Sequence, residues 1–361
     1  MENQVNFHQY LTHMKEFYNS FIDFIDNSEN DEKNFNQIIN LIDTNKCLET
    51  REEIGHFIQL LVSLCNNHYR GTNLIQKVEL IIQHYKDKIQ QNYSNAEIFD
   101  LFCFNKILLH ILFKNSILTL DEHIYSEIMN KEEANGNKFC YFFIPELESF
   151  KNSTKIKQEI NPNILNNYEK KRQEGENESY ICHLIRQDSI EEFIQYINKN
   201  FVTLDNQISH SIYETNPFLI ENNPTLIEYA IFFNSNKIFQ YLFKNGIELK
   251  PSMWLYAIHG QNSEVINVLE ENKIKPLNKS YEDCFVESIK CHHNNFVNYF
   301  EANYGSKIDE KITELFIQYN NYEYFEKLLD QIYTFFYLYK HHFLKIVDLY
   351  LKNEEPEIIK K

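Results

Sequence analysis

The chain has 361 residues, enough for two compact domains or one continuous array of repeats. Hydrophobic residues at 43% and aromatics at 15% exclude a wholly disordered chain, and a formal net charge of −17 argues against nucleic acid or an anionic membrane as partner, since both are bound through Lys and Arg. With only 7 Gly and 7 Pro, the composition points away from an all-β fold and toward helices joined by Asn-rich corners.

Residues 1–145 read as a run of amphipathic helices. Helix starts are marked by a hydroxyl residue followed three positions later by Glu, a pair that satisfies orphan amides reciprocally. Thr50 with Glu53, Ser94 with Glu97 and Thr119 with Glu122 fit that pattern. After Thr50, Ile54, Phe57, Ile58, Leu61 and Cys65 keep helical spacing, as do Ile75, Val78, Ile82 and Tyr85 further on. The most apolar stretch, Ile98 to Phe113, is interrupted by Asp100, Lys106 and His110, so it is expected to be a buried helix and not a membrane span. The N-terminus lacks a basic-then-apolar signal pattern. Seven Cys in odd number, without a CxxC, predict reduced thiols and a cytoplasmic or nuclear location.

Residues 146–179 read as a charged connector. The one dense basic run, Lys170-Lys171-Arg172, is followed at once by Glu174, Glu176 and Glu178, which predicts a solvated segment.

From residue 180 to 361 an internal repeat emerges, clearest over 223–304. Pro224-Thr225-Leu226-Ile227-Glu228-Tyr229-Ala230-Ile231 is echoed 27 residues later by Pro251 to Ile258. At the same offset Ile238 meets Val265, Leu242 meets Leu269 and Asn245 meets Asn272. Thr225 with Glu228 makes a fourth capping pair. Weaker copies match Phe193–Asn200 at an offset of 45 and Phe296–Phe300 at an offset of 31. One helix pair cannot bury its own apolar face, so each copy needs its neighbour.

These segments resemble the ankyrin repeat. Thr225, Ala230, Ile238-Phe239, Tyr241-Leu242-Phe243 and Asn245-Gly246 can be laid on that pattern without a gap. The PTLIEYA, WLYAIHG and SIKCHHN segments are similar to a divergent, uncharacterised ankyrin-like family expanded in protists, whose members carry helices before the repeats. Leu226 and Glu228 depart from the usual Pro and His, and Asn234 stands where Gly closes the inter-helix turn. The resemblance implies an all-α chain, an α-solenoid with short or missing β-hairpin fingers, and partner binding on the concave face. The residues that would point there are Phe232, Phe233, His259, Lys290 and Cys291. Paired aromatics are the residue type that interface hot spots favour.

No metal, cofactor or catalytic site is expected. Cys284, Cys291, His292 and His293 form the most chemical-looking cluster, but the spacing is wrong for zinc and adjacent His residues diverge on a helix. GxSxG, HExxH and phosphate-loop patterns do not occur. Trp254 reads as a packing residue, and His292-His293 and His341-His342 as helix-end pairs. The expected function is therefore a protein-interaction scaffold, not an enzyme, with a partner of basic character. The alternatives are an effector or enzyme activity in the N-terminal helices, or a self-assembling structural protein using Tyr333-Thr334-Phe335-Phe336-Tyr337. Against the last, that run also fits the core of a final helix pair.

Overall fold

The computed structural model describes residues 7–27, 32–71, 73–133, 136, 138–151, 165–329, 331 and 333–353. Among them the architecture is all-α. No strand occurs, and β-bridges are isolated ones at Glu132–Lys138 and Gln207–Thr225.

The N-terminal part contributes α1 (Phe7–Asp26), α2 (Glu32–Thr44), α3 (Arg51–Asn67), α4 (Leu74–His84), α5 (Lys86–Asn92), α6 (Asn95–Phe102), α7 (Lys106–Lys114), α8 (Glu122–Asn130) and α9 (Ile144–Lys151). Thr50 and Ser94 form the reciprocal caps predicted for α3 and α6. At α8 the cap is Asp121, whose carboxylate accepts from the Ile124 N–H at 2.9 Å; Thr119 is engaged instead with Asn95. The apolar stretch Ile98–Phe113 is two helices, α6 and α7. The side chain of Asn105 caps the second by accepting from Leu108 N–H, which stops one helix and starts the next.

The segment read as a solvated connector is firmly docked where it is described. Helix α10 (Tyr168–Glu174) ends at Gly175, a left-handed cap with φ +67°. Arg172 is completely buried and donates to Glu146 and to His110 Nδ1, each at 2.6 Å. The Gly175 carbonyl accepts from Arg70 at 3.1 Å and Thr215 at 2.6 Å. The basic run therefore splits: Lys170 stays in solvent while Arg172 turns inward, where the half-buried Glu146 carboxylate meets it.

Beyond it lie α11 (Tyr180–Arg186), α12 (Ile190–Asn200), α13 (Pro217–Asn222), α14 (Leu226–Phe232), α15 (Asn236–Lys244), α16 (Met253–His259), α17 (Ser263–Glu271), α18 (Glu282–Lys290), α19 (Asn294–Tyr304), α20 (Glu310–Gln318), α21 (Phe325–Leu328), α22 (Thr334–Lys340) and α23 (Leu344–Asn353). The first helices of successive pairs pack in order: α11 on α14, then α16, α18, α20 and α22. Each pair turns in the same way. Asp188, Asn234, Gln261, His292, Asn320 and His342 all take positive φ, between 47° and 64°. The next residue's N–H reaches back five positions in every case, as in Ser235 to Ala230, Asn262 to Ala257 and His293 to Ser288. This is the Schellman helix end, normally served by Gly. Here Asn, Asp, Gln and His accept the left-handed strain, so six turns are made without a glycine.

Adjacent pairs are stitched by polar contacts. Asp188 caps α15 through Lys237 and Ile238 N–H groups at 3.1 and 3.0 Å. Asn262 donates to Asn236 and Asn321 to Asn294. The weak upstream copy sits 45 residues away because an inserted loop carries α13, which packs against α3. Helix α1 packs against the 3-10 turn Tyr322–Tyr324, α21 and α23, near the far end of the row. One hydrophobic core runs through both halves.

Candidate functional site

The five residues expected on an open recognition face are placed close together, but four are not open. Phe232 is 1% exposed, Phe233 9%, and His259 and Cys291 0%. Lys290 alone keeps its side chain partly in solvent, at 30%. The correction has a specific cause: the chain's own N-terminal helices and the α13 loop cover this face. Phe218 of α13 stacks on His259 with ring centroids 4.0 Å apart and lies parallel to Phe232 at 6.1 Å.

The seam is polar as well as aromatic. His259 Nδ1 faces the Asn67 carbonyl at 3.1 Å, and its Nε2 faces Glu287 at 2.8 Å. His68 mirrors it, with Nδ1 2.7 Å from the Cys291 carbonyl and Nε2 2.6 Å from Asp26. His292 lies between Tyr18 Oη at 2.9 Å and Ser63 Oγ at 3.1 Å. His293 Nδ1 meets the Ile258 carbonyl at 2.8 Å. Four of the contacting groups, Tyr18, Ser63, Asn67 and His68, come from α1 and the C-terminal end of α3.

Burial sets the protonation behaviour. It pushes His292 down to about 3, with the neighbouring His68 ring adding to the effect, and pushes His293 far below the ordinary imidazole range. Burial alone would raise the Glu287 carboxyl, yet His259 and Lys290 outweigh it and hold it below the usual carboxylate range. The Cys291 thiol is driven far up by burial, then by Glu287, so it is a poor nucleophile.

The ligand set weighed from sequence, Cys284, Cys291, His292 and His293, is not what the fold assembles. His259, Glu287 and Cys291 instead place ligand atoms within 4.8 Å of one another. Both ring nitrogens of His259 already have oxygen partners, and three donors, of which Glu287 is only partly buried, fall short of a closed tetrahedral set. The group acts as a hydrogen-bonded strut. Trp254 is fully buried, and its indole N–H donates to the Ile274 carbonyl at 3.0 Å.

A feature unmarked in the sequence lies where α1, the loop before α3, α3 and α23 converge. It is a cavity of about 360 Å³. Glu53 stands at its polar end, its carboxylate accepting from Tyr10 Oη at 3.2 Å, Lys345 Nζ at 2.5 Å and the Thr50 N–H at 3.0 Å. His56 stacks on Phe343 with centroids 3.8 Å apart, and its Nε2 meets the His341 carbonyl. Burial lowers His56 to about 4 and raises the lining Cys47 thiol to about 12. The available sequence signal was α3 itself. Its Glu53, His56 and Ser63 are buried together with Ile54, Phe57, Leu60 and Leu64, so most of the helix surface is covered and only a stripe through Glu52 and Gln59 stays open.

The aromatic run of the last helix pair divides. Tyr337 is buried, Phe335 is half-buried, and Phe336 and Tyr339 are 63% and 66% exposed. No disulfide joins any of the seven cysteines. No helix among the described residues is long and apolar enough to cross a membrane. In comparisons with known proteins, no family profile, no curated sequence and no solved structure matches this chain.

Proposed function

We propose that this chain is a non-catalytic protein-binding scaffold, an ankyrin-like stack whose usual recognition face is occupied by its own N-terminal helices. The six equivalent left-handed turns support the repeat reading, since one backbone device recurs wherever one helix pair must be closed against the next. The observation that carries the rest is the seam from Tyr18, Ser63, Asn67 and His68 to His292, His259 and Cys291.

That seam does not open readily. Phe7, Tyr18, Tyr322, Phe343 and Phe232 are all buried by contacts across or beside it. At about 1.5–3 kcal/mol for each large apolar side chain, uncovering five costs roughly 7–15 kcal/mol, the whole stability of a typical domain. A partner therefore meets the exterior, which is acidic and favours basic sequences. The test is a peptide array probed with the intact protein at low and high salt. Preferential, salt-sensitive retention of basic peptides is expected, and retention indifferent to peptide charge would count against the reading.

A second reading, end-to-end self-association, is favoured by Phe336 and Tyr339 on the outer face of the last pair. Sedimentation of intact protein and of a Phe336→Glu, Tyr339→Glu variant separates it: a concentration-dependent oligomer abolished by the substitutions supports it, and a monomer throughout rejects it.

A further inference from the structure

We propose that the cavity between α1, α3 and α23 binds a small amphiphile with an apolar body and a cationic head. Its volume, about 360 Å³, falls within the ~300–1,000 Å³ of small-molecule sites. Met14, Phe17, Leu48, Phe57, Phe343 and Ile346 supply apolar and aromatic wall, and the flexible thioether of Met14 adapts to the shape of an apolar guest.

The carboxylates of the lining outnumber its Lys. Glu52, Glu53 and Asp348 line the cavity against a single Lys345. Glu53 is already matched by Lys345 and Tyr10; Asp348 pairs with Lys352 at 2.5 Å, but that exposed i,i+4 contact contributes little, so Asp348 and the exposed Glu52 supply the negative charge beside the opening. An apolar body alone would leave those carboxylates unused. An anionic head would meet two like charges at close range, which costs binding, whereas an ammonium complements them.

The site's position gives the ligand a second consequence. Its walls come from α1, α3 and the α22–α23 pair, so an occupant bridges elements far apart in sequence. A ligand held only by this closed arrangement stabilises it by mass action. This inference does not rest on the scaffold reading, since it uses only the cavity's own lining, of which Tyr322 and Phe343 also flank the seam.

The test uses the full chain and two fluorescent probes of similar apolar bulk: dansylcadaverine, a primary amine, and anilinonaphthalene sulfonate, an anion. Saturable one-site binding of the amine is expected, with a raised melting temperature and weaker binding of the anion. Met14→Trp, which fills the space from a half-buried wall position, should weaken the amine by at least about ten-fold. Since an indole could disturb packing, a second variant, Glu52→Gln with Asp348→Asn, changes only exposed side chains. It should weaken the amine by about ten-fold and leave the anion unchanged or improved. Absence of saturable amine binding, tighter binding of the anion, or equal amine binding by the wild type and the charge-neutral variant would each overturn the proposal.

Discussion

Acid should loosen this protein well before its carboxylates titrate, and His292 with His56 are the reason. An unperturbed imidazole titrates near ~6.5. Burial holds His292 at about 3 and His56 at about 4 in the folded chain. Both folded values lie below the unfolded one, so between them the unfolded chain binds a proton that the folded chain refuses. The stability these two contribute is complete above about pH 6.5 and is lost progressively below it, down to about pH 4 for His56 and about pH 3 for His292. At about 1.4 kcal/mol for each pH unit below 6.5, each histidine has lost roughly 2 kcal/mol of its contribution by about pH 5, or about 4 kcal/mol together. Glu133 and Glu176 are raised by burial and act with the opposite sign, but in the carboxylate range. Urea unfolding followed by circular dichroism at about pH 7 and pH 5 measures these two together with His293 and His341, which burial also lowers, so a loss of at least about 4 kcal/mol is expected. A His292→Asn variant isolates one share, since Asn tolerates the left-handed φ of 58° at that turn. Wild type should lose about 2 kcal/mol more than the variant over that interval. Parallel losses in the two proteins would refute a neutral, buried His292.

Gly260→Ala should destabilise by about 1–3 kcal/mol, because a Cβ there falls 2.8 Å from the Phe232 carbonyl and closer still to that of Ile231, both unyielding backbone; thermal melting checks it, and an unchanged melt would mean the repeats can slide apart. Arg172→Ala should cost about 2–4 kcal/mol by removing a fully buried guanidinium and leaving the half-buried Glu146 carboxylate without it, with Arg172→Lys recovering only part, as read in urea midpoints. Phe232→Ala should cost about 3–5 kcal/mol of stability, and retention of full stability would mean the side chain lies open after all. Asp121→Ala should weaken α8 by about 1 kcal/mol, measured as a urea-midpoint shift, while Glu122→Gln changes little, reversing the order expected from Thr119 with Glu122.

Local order was legible because it is written in short-range patterns. Thr50, Ser94 and Thr225 cap helices as their spacing to Glu requires, since the bonds close within four residues. The echo of residues 224–231 in 251–258 marks neighbouring helix pairs, each needing the next to bury its apolar stripe. Trp254 read as core and is core. The Asp121 cap and the break at Asn105 were missed because several polar residues competed for the same orphan amides, and the winner depends on a fraction of an ångström.

Only tertiary packing decided what covers Phe232 and His259. Nothing within their own repeats predicts that Phe218 or Asn67 will arrive from another part of the chain. A face that is apolar enough to bind a partner is apolar enough to bind the chain's own helices, and the tethered segment has the higher effective concentration. The same logic explains Arg172, charged by sequence yet buried by a carboxylate 26 residues away, and the cavity between α1, α3 and α23, which exists only because distant elements meet. Periodicity and caps determined the helices and their pairing; the docking of α1 on α21 and α23 belongs to the tertiary structure alone, because hydrophobic burial has no direction until neighbouring surfaces supply one.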